Sequence, residues 1–154
     1  MTLAEARAND DAEKIERLEG AMLELPQVDC HEEHFFAPGL YIRQITIPAG
    51  VLVVGHEHKT EHVNIMLKGR VTVATAEGVA TLVAPMTFIA PAGRKVAIAH
   101  EETVWQNVHA TEERDLAKIE EAFIRKSDTW QAHNDAAALV DRLREHALSG
   151  KGGT

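Results

Sequence analysis

From Gly39 to about His109 the chain is a series of short β-branched runs broken by turn residues. LYIRQITI, VLVVGHEH, HVNIML, RVTVAT, VATLVA, MTFIA, KVAIAH and TVWQNVH follow one another, separated by Pro48–Gly50, Lys68–Gly69, Glu77–Gly78 and Pro91–Gly93. Many short strands at this spacing predict an all-β sandwich or barrel. No helical pattern alternates with them, which argues against a parallel doubly wound sheet.

Helical patterns flank this region. From Ala4 to Leu25 the apolar residues Ile15, Leu18, Met22 and Leu25 recur at helical spacing, and Pro26 ends the run. The stretch from Gln27 to Pro38, with His31 and His34, reads as an extended arm. After His109 a helix opening at Thr111 or Glu112 would carry Leu116, Ile119 and Phe123 on one face. A second, from about Ser127 or Asn134 to Leu148, would have Leu139, Val140 and Leu143 as its apolar side. The expected division is a helix and arm over 1–38, a barrel over 39–110, packed helices over 111–148 and a flexible tail over 149–154.

A chain of 154 residues suits one domain. Its formal charge of −8 argues against nucleic acid and against anionic lipid as partners, because both demand a basic surface. No apolar stretch approaches the roughly 20 residues of a membrane span, and the acidic N-terminus lacks the apolar core of a secretory signal. Cys30 is the only cysteine and makes no internal disulfide. A soluble cytoplasmic protein is the expectation.

The chemistry concentrates in Gly50–Gly69, where His56, His58 and His62 lie within seven residues. Strand residues two apart share a face, so His56 and His58 point the same way. A three-residue loop of Lys59, Thr60 and Glu61 would place His62 opposite His58 and Asn64 opposite His56. Facing side chains about 5 Å apart can converge on one ion, and neutral imidazole is a metal ligand. Asn64 and Met66 share the face of His62. In Thr103–His109, Trp105, Asn107 and His109 form one face and Val104, Gln106 and Val108 the other. Parity leaves open which face looks inward; Val104 and Val108 read as core, Trp105 and Asn107 as a pocket wall. Tyr41, Arg43, Ile45 and Ile47 likewise share a face. His31, His133 and His146 read as ordinary surface or packing residues.

These residues resemble the cupin superfamily. Its first motif is a glycine, five residues, His-x-His, three or four residues, Glu, six residues and Gly. Here Gly50, His56, His58, His62 and Gly69 keep every interval, with His62 at the glutamate position. In the second motif Pro91-x-Gly93 matches, while Pro85, Val96 and His100 stand at the leading glycine, histidine and asparagine positions. The resemblance covers roughly Leu40 to His109. It implies a cupin barrel, a double-stranded β-helix of jelly-roll type, with flanking helices and the first-motif side chains inside. Carried over, it implies metal ligation by His56 and His58, with His62 as a third donor of a different kind. Val96 cannot ligate. His100 shares its face but lies about 13 Å along the strand, and is a candidate fourth ligand. Zinc, nickel, iron, copper and manganese all remain open, since imidazole suits several of them. The chain also resembles small cupin-like proteins of phage and prophage genomes.

Two kinds of function follow as expectations. One is a metal-dependent protein acting on a small molecule, with His56, His58, His62 and His100 as metal candidates and Asn64, Met66, Trp105 and Asn107 lining the pocket. Three protein ligands would leave an open coordination position. The other is a metal-free binding or structural barrel, consistent with the substituted second motif. No residue is assigned a catalytic role, and no organic cofactor motif is present. Barrels of this kind commonly pair, so a homodimer is expected.

Overall fold

A computed structural model describes residues 1–75 and 78–150, and for residues 4 and 7–10 the backbone alone. The turn residue Glu77 and residues 151–154 of the expected tail lie outside the described residues.

The chain opens with helix α1 (Leu3–Leu23), which begins where sequence chemistry favours a start. Thr2 accepts a hydrogen bond from the Glu5 N–H at 3.1 Å, and the Glu5 carboxylate accepts from the Thr2 N–H at 2.6 Å. This reciprocal cap satisfies two donors that a helix terminus otherwise leaves open. The following strands are β1 (His31–Ala37), β2 (Leu40–Ile47), β3 (Leu52–Val54), β4 (Glu57–His58), β5 (His62–Lys68), β6 (Arg70–Thr75), β7 (Gly78–Val83), β8 (Met86–Ala90), β9 (Val96–Ala99) and β10 (Thr103–Ala110). Helix α2 (Leu116–Phe123), the short strand β11 (Ile124–Arg125) and helix α3 (Asp128–Leu148) complete the chain. The expected arm before the barrel is in part strand β1, paired antiparallel with β2 through a turn at Gly39.

Two sheets form the barrel, with strand orders β1-β2-β10-β5-β8 and β3-β9-β6-β7. Within them the pairs nest antiparallel: β2 with β10, β3 with β9, β5 with β8 and β6 with β7. This nesting is the jelly roll, the double-sheet architecture of the cupins. The core cluster takes Ile47, Met66 and Trp105 from the first sheet and Val71, Val73, Ala97 and Ala99 from the second, so the inner faces pack on each other. Among the described residues no helix is long and apolar enough to cross a membrane.

The expected hairpin from His58 to His62 does not form. β4 pairs with β11 (His58 opposite Ile124), and His58 also bridges Gly93. β5 pairs with β8 and β10, so Asn64 faces Phe88 and Asn107 rather than His56. Lys59–Glu61 is a crossover between strands of different sheets. The Lys59 N–H donates to the Phe123 carbonyl at 2.8 Å, tying the crossover to the end of α2. Three residues suffice for a hairpin or a layer change alike, and loop length alone does not distinguish them.

Candidate functional site

The inner face of the five-stranded sheet is read most simply as rows running across its strands. One row is Glu32, Ile45, Trp105, Met66 and Met86; the next is His34, Arg43, Asn107, Asn64 and Phe88. A third begins Phe36, Tyr41, His109, and the same register carries it to His62 and Ala90. The rows pass from apolar near the core to polar towards the barrel rim. Trp105, Asn107 and His109 are therefore the inward face of β10. Val104 and Val108, read from the sequence as core, are the half-exposed outer face.

Asn64 is fully buried and organises the middle row. Its Oδ1 accepts from Trp105 Nε1 at 2.9 Å and from Asn107 Nδ2 at 2.7 Å. Its Nδ2 donates to the His62 carbonyl at 3.2 Å. One amide thus satisfies two buried donors and fixes the floor beneath the imidazoles. Met66, also fully buried, packs in the core below it.

Above this floor, three imidazoles meet. The His58 ring stacks on His62 with centroids 4.0 Å apart, and His109 lies 5.5 Å from His62 and 5.9 Å from His58. Phe123, at the C-terminal end of α2, stacks on His109 at 4.5 Å and roofs the cluster. On the other flank Tyr41 stands 6.3 Å from His109, and its hydroxyl is 2.7 Å from His34 Nδ1. Lys95, half-buried, completes the group, its Nζ 3.4 Å from His62 Nε2.

The electrostatics keep these rings neutral. Burial, then the neighbouring His62 and Lys95, push His58 down to about 3. Burial and His62 push His109 down to about 4. Burial also lowers His62, and lowers Lys95 to about 8. The His62 tautomer follows from its partners. Nδ1 lies 3.0 Å from the Thr60 carbonyl, which can only accept, so Nδ1 carries the proton and Nε2 presents a lone pair. A ring nitrogen donating to a backbone carbonyl is the arrangement that orients histidine ligands towards a metal. His58 Nδ1 is buried without a hydrogen-bond partner, an arrangement that a bound ion or ligand would relieve.

Against these features stands the placement of the rings. The three imidazole planes lie within 12°, 14° and 23° of one another in pairs, stacked rather than aimed at a common point. Among the described residues no three His, Cys, Asp or Glu side chains are placed to hold a metal ion. The donors fit a transition metal in kind, and ligation would require the rings to turn out of their stack.

Two of the expected metal candidates lie elsewhere. His56 makes its ring contact edge-on with Trp130 of α3, centroids 5.0 Å apart, and lines a cavity of about 350 Å³ beside Glu19 and Met22 of α1. It lies before β4 rather than within it, and meets Trp130 instead of the other imidazoles. His100 is exposed on the outside, its Nε2 2.7 Å from the Thr72 hydroxyl. The alternation along β9 explains this: Ala97 and Ala99 are buried, so Ile98 and His100 face out. The same alternation turns Lys95 inward.

His109 and Lys95 are the site residues that motif spacing missed. His109 was one of two possible inward sets on its strand. The signal for Lys95 was the pair of small residues Ala97 and Ala99 at its own parity, which mark the crowded inner face of a barrel.

No protein-family model matches the chain, and no curated protein matches it. Solved structures do resemble it at low identity. A cupin domain from Bordetella pertussis Tohama I is 15% identical, with 56% of this chain and 98% of that one covered and a TM-score of 0.43. KdgF from Halomonas sp. is 16% identical, with 58% and 86% covered and a TM-score of 0.47. Ectoine synthase from P. lautus is 10% identical, with 68% and 83% covered and a TM-score of 0.49. By its own strand order and nested pairing, the chain has the cupin jelly-roll fold, extended by helices at both ends.

Proposed function

We propose that the barrel binds one divalent transition metal at His58, His62 and His109, above the buried layer of Asn64, Trp105 and Asn107, and with it a small molecule. The observation that carries this reading is the meeting of three neutral imidazoles with no carboxylate among them, one presenting an Nε2 lone pair that only Lys95 contacts, at 3.4 Å, and another an unpartnered Nδ1. Neutral rings bind an ion without first losing protons, so affinity would persist below neutral pH. Zinc, copper, iron and nickel suit imidazole donors, and manganese less well. A bound ion of this kind supplies Lewis acidity. The chain's own residues supply the rest. Thr60 orients His62, Asn64 holds Asn107 and Trp105 in place, and Phe123 shields His109 from water.

The second reading is a metal-free ligand-binding barrel. It is favoured by the stacked rings and by Lys95, whose ammonium already occupies the side of His62 Nε2. Metal analysis separates the two. Protein purified without a histidine tag or nickel column, then offered each metal and dialysed, should hold close to one ion per chain. His62→Ala and His109→Ala should lose it while keeping the far-ultraviolet circular dichroism of the parent. A wild-type protein that stays far below one ion per chain overturns the metal reading and leaves the metal-free one.

A further inference from the structure

Lys95 is placed inside the barrel by strand alternation and held there by its backbone, whose carbonyl accepts from the Gly55 N–H at 2.9 Å. Its only hydrogen-bonding neighbour among the described residues is His62 Nε2, a neutral acceptor that cancels none of its charge. The carboxylates around the barrel are engaged elsewhere. Glu32 pairs with Arg43, Glu19 with Arg94 and Ser127, Glu57 with Arg125, and Glu120 with Lys126. Lys95 is therefore an ammonium drawn out of water with no counter-ion among the described residues.

A half-desolvated charge without a partner destabilises a fold, and an apolar residue of similar length would pack there at lower cost. Such a residue makes physical sense when the missing partner arrives from outside. We infer that the imidazole cluster takes a small organic carboxylate, with Lys95 pairing its anionic group beside His62. The donor set favours a carboxylate over a phosphate. Lys95 offers one point charge, the Arg43 guanidinium fork is occupied by Glu32, and α2 brings the negative, C-terminal end of its dipole to the site. A metal at the three imidazoles would add positive charge and strengthen the same preference. This inference rests on the proposed site but not on metal occupancy.

The test uses thermal unfolding and calorimetry of the untagged full chain, metal-free and zinc-loaded. The probes are acetate, butyrate, benzoate and succinate, each against its neutral amide and against sodium chloride at equal ionic strength. At least one carboxylate should stabilise the wild type saturably while its amide does not. Lys95→Met and Lys95→Gln should weaken that binding by about tenfold or more, while retaining metal. Without ligand, Lys95→Met should melt at the same temperature as wild type or higher. The inference is overturned if no carboxylate outperforms its amide, if the Lys95 variants bind as wild type does, or if Lys95→Met melts well below wild type without ligand. Carboxylate binding in protein that takes up no metal would retain the anion inference and remove the metal reading. Metal uptake without carboxylate binding would do the reverse.

Discussion

The rings of His58 and His62 lie 4.0 Å apart and within 12° of parallel, although β4 and β5 belong to different sheets. Two imidazolium ions would repel strongly at that distance, so the stack disfavours charging both rings, and burial opposes charging either one.

The pH dependence of stability follows. Imidazoles in the unfolded chain titrate near 6.5, while those of His58 and His109 are lowered to about 3 and about 4 by burial. Between these limits the unfolded state binds more protons than the folded state, so acidification favours unfolding. Metal-free protein should therefore lose stability as pH falls from about 6.5 to about 4, by up to about 1.4 kcal/mol per pH unit for each of the two rings. Urea unfolding across that range checks this. His58→Gln should flatten the slope, and a profile that is already flat in wild type contradicts the neutral stack.

Asn64 should be among the most sensitive polar positions. Asn64→Ala strands the Trp105 indole N–H and the Asn107 amide in a site where Asn64 itself is 0% exposed. Each buried donor left without a partner costs about 1–3 kcal/mol, so a loss of about 2–5 kcal/mol is expected. Equilibrium denaturation measures it, and a loss below about 1 kcal/mol would mean that the floor repacks.

Glu19 joins three parts of the chain. From α1 it accepts from Arg94, whose Nε donates to the Gly55 carbonyl at 2.8 Å, and from the hydroxyl of Ser127, the N-cap of α3. Both charged partners are well buried. Glu19→Ala leaves Arg94 unpaired and should destabilise by about 3–5 kcal/mol, with loss of helix signal from α3. Replacing both, Glu19→Leu with Arg94→Met, should recover part of that loss. A double variant as unstable as the single one would show that packing, not charge pairing, dominates there.

Gly69 turns the chain from β5 into β6 at φ +100°, and a Cβ added there would lie 2.6 Å from the Glu102 carbonyl oxygen. Both the backbone angle and the collision oppose any side chain. Gly69→Ala is expected to cost about 2–4 kcal/mol, readable as a lowered unfolding midpoint, whereas Gly50→Ala, with open space around its Cβ, should cost less.

The barrel was legible because β-branched runs and turn residues are local signals. The inner set Tyr41, Arg43, Ile45 and Ile47 was legible as a set for the same reason. Which face of a strand looks inward is not local: period two states only who shares a face, and the packed neighbour decides the side. The spacing therefore leaves His109 on either face and points to Val96, whereas its neighbour Lys95 is the inward residue. β1 was hidden for another reason. HEEHFFA is an edge strand whose charges discourage pairing with a further chain, and those charges erase the apolar alternation that marks a strand. The separation of His56 from His58 depended on Trp130, seventy-odd residues away, which no spacing within the motif encodes.

The ring of Phe123 over His109 and the pairing of Ile124–Arg125 with the rim at Glu57–His58 make the segment after the barrel a wall of its interior. A clone cut at the last long strand would lose both and open the imidazole cluster to solvent. The lowering of His58 and His109 by burial would then shrink. The minimal barrel and the enclosed imidazole cluster are thus different lengths of the same chain.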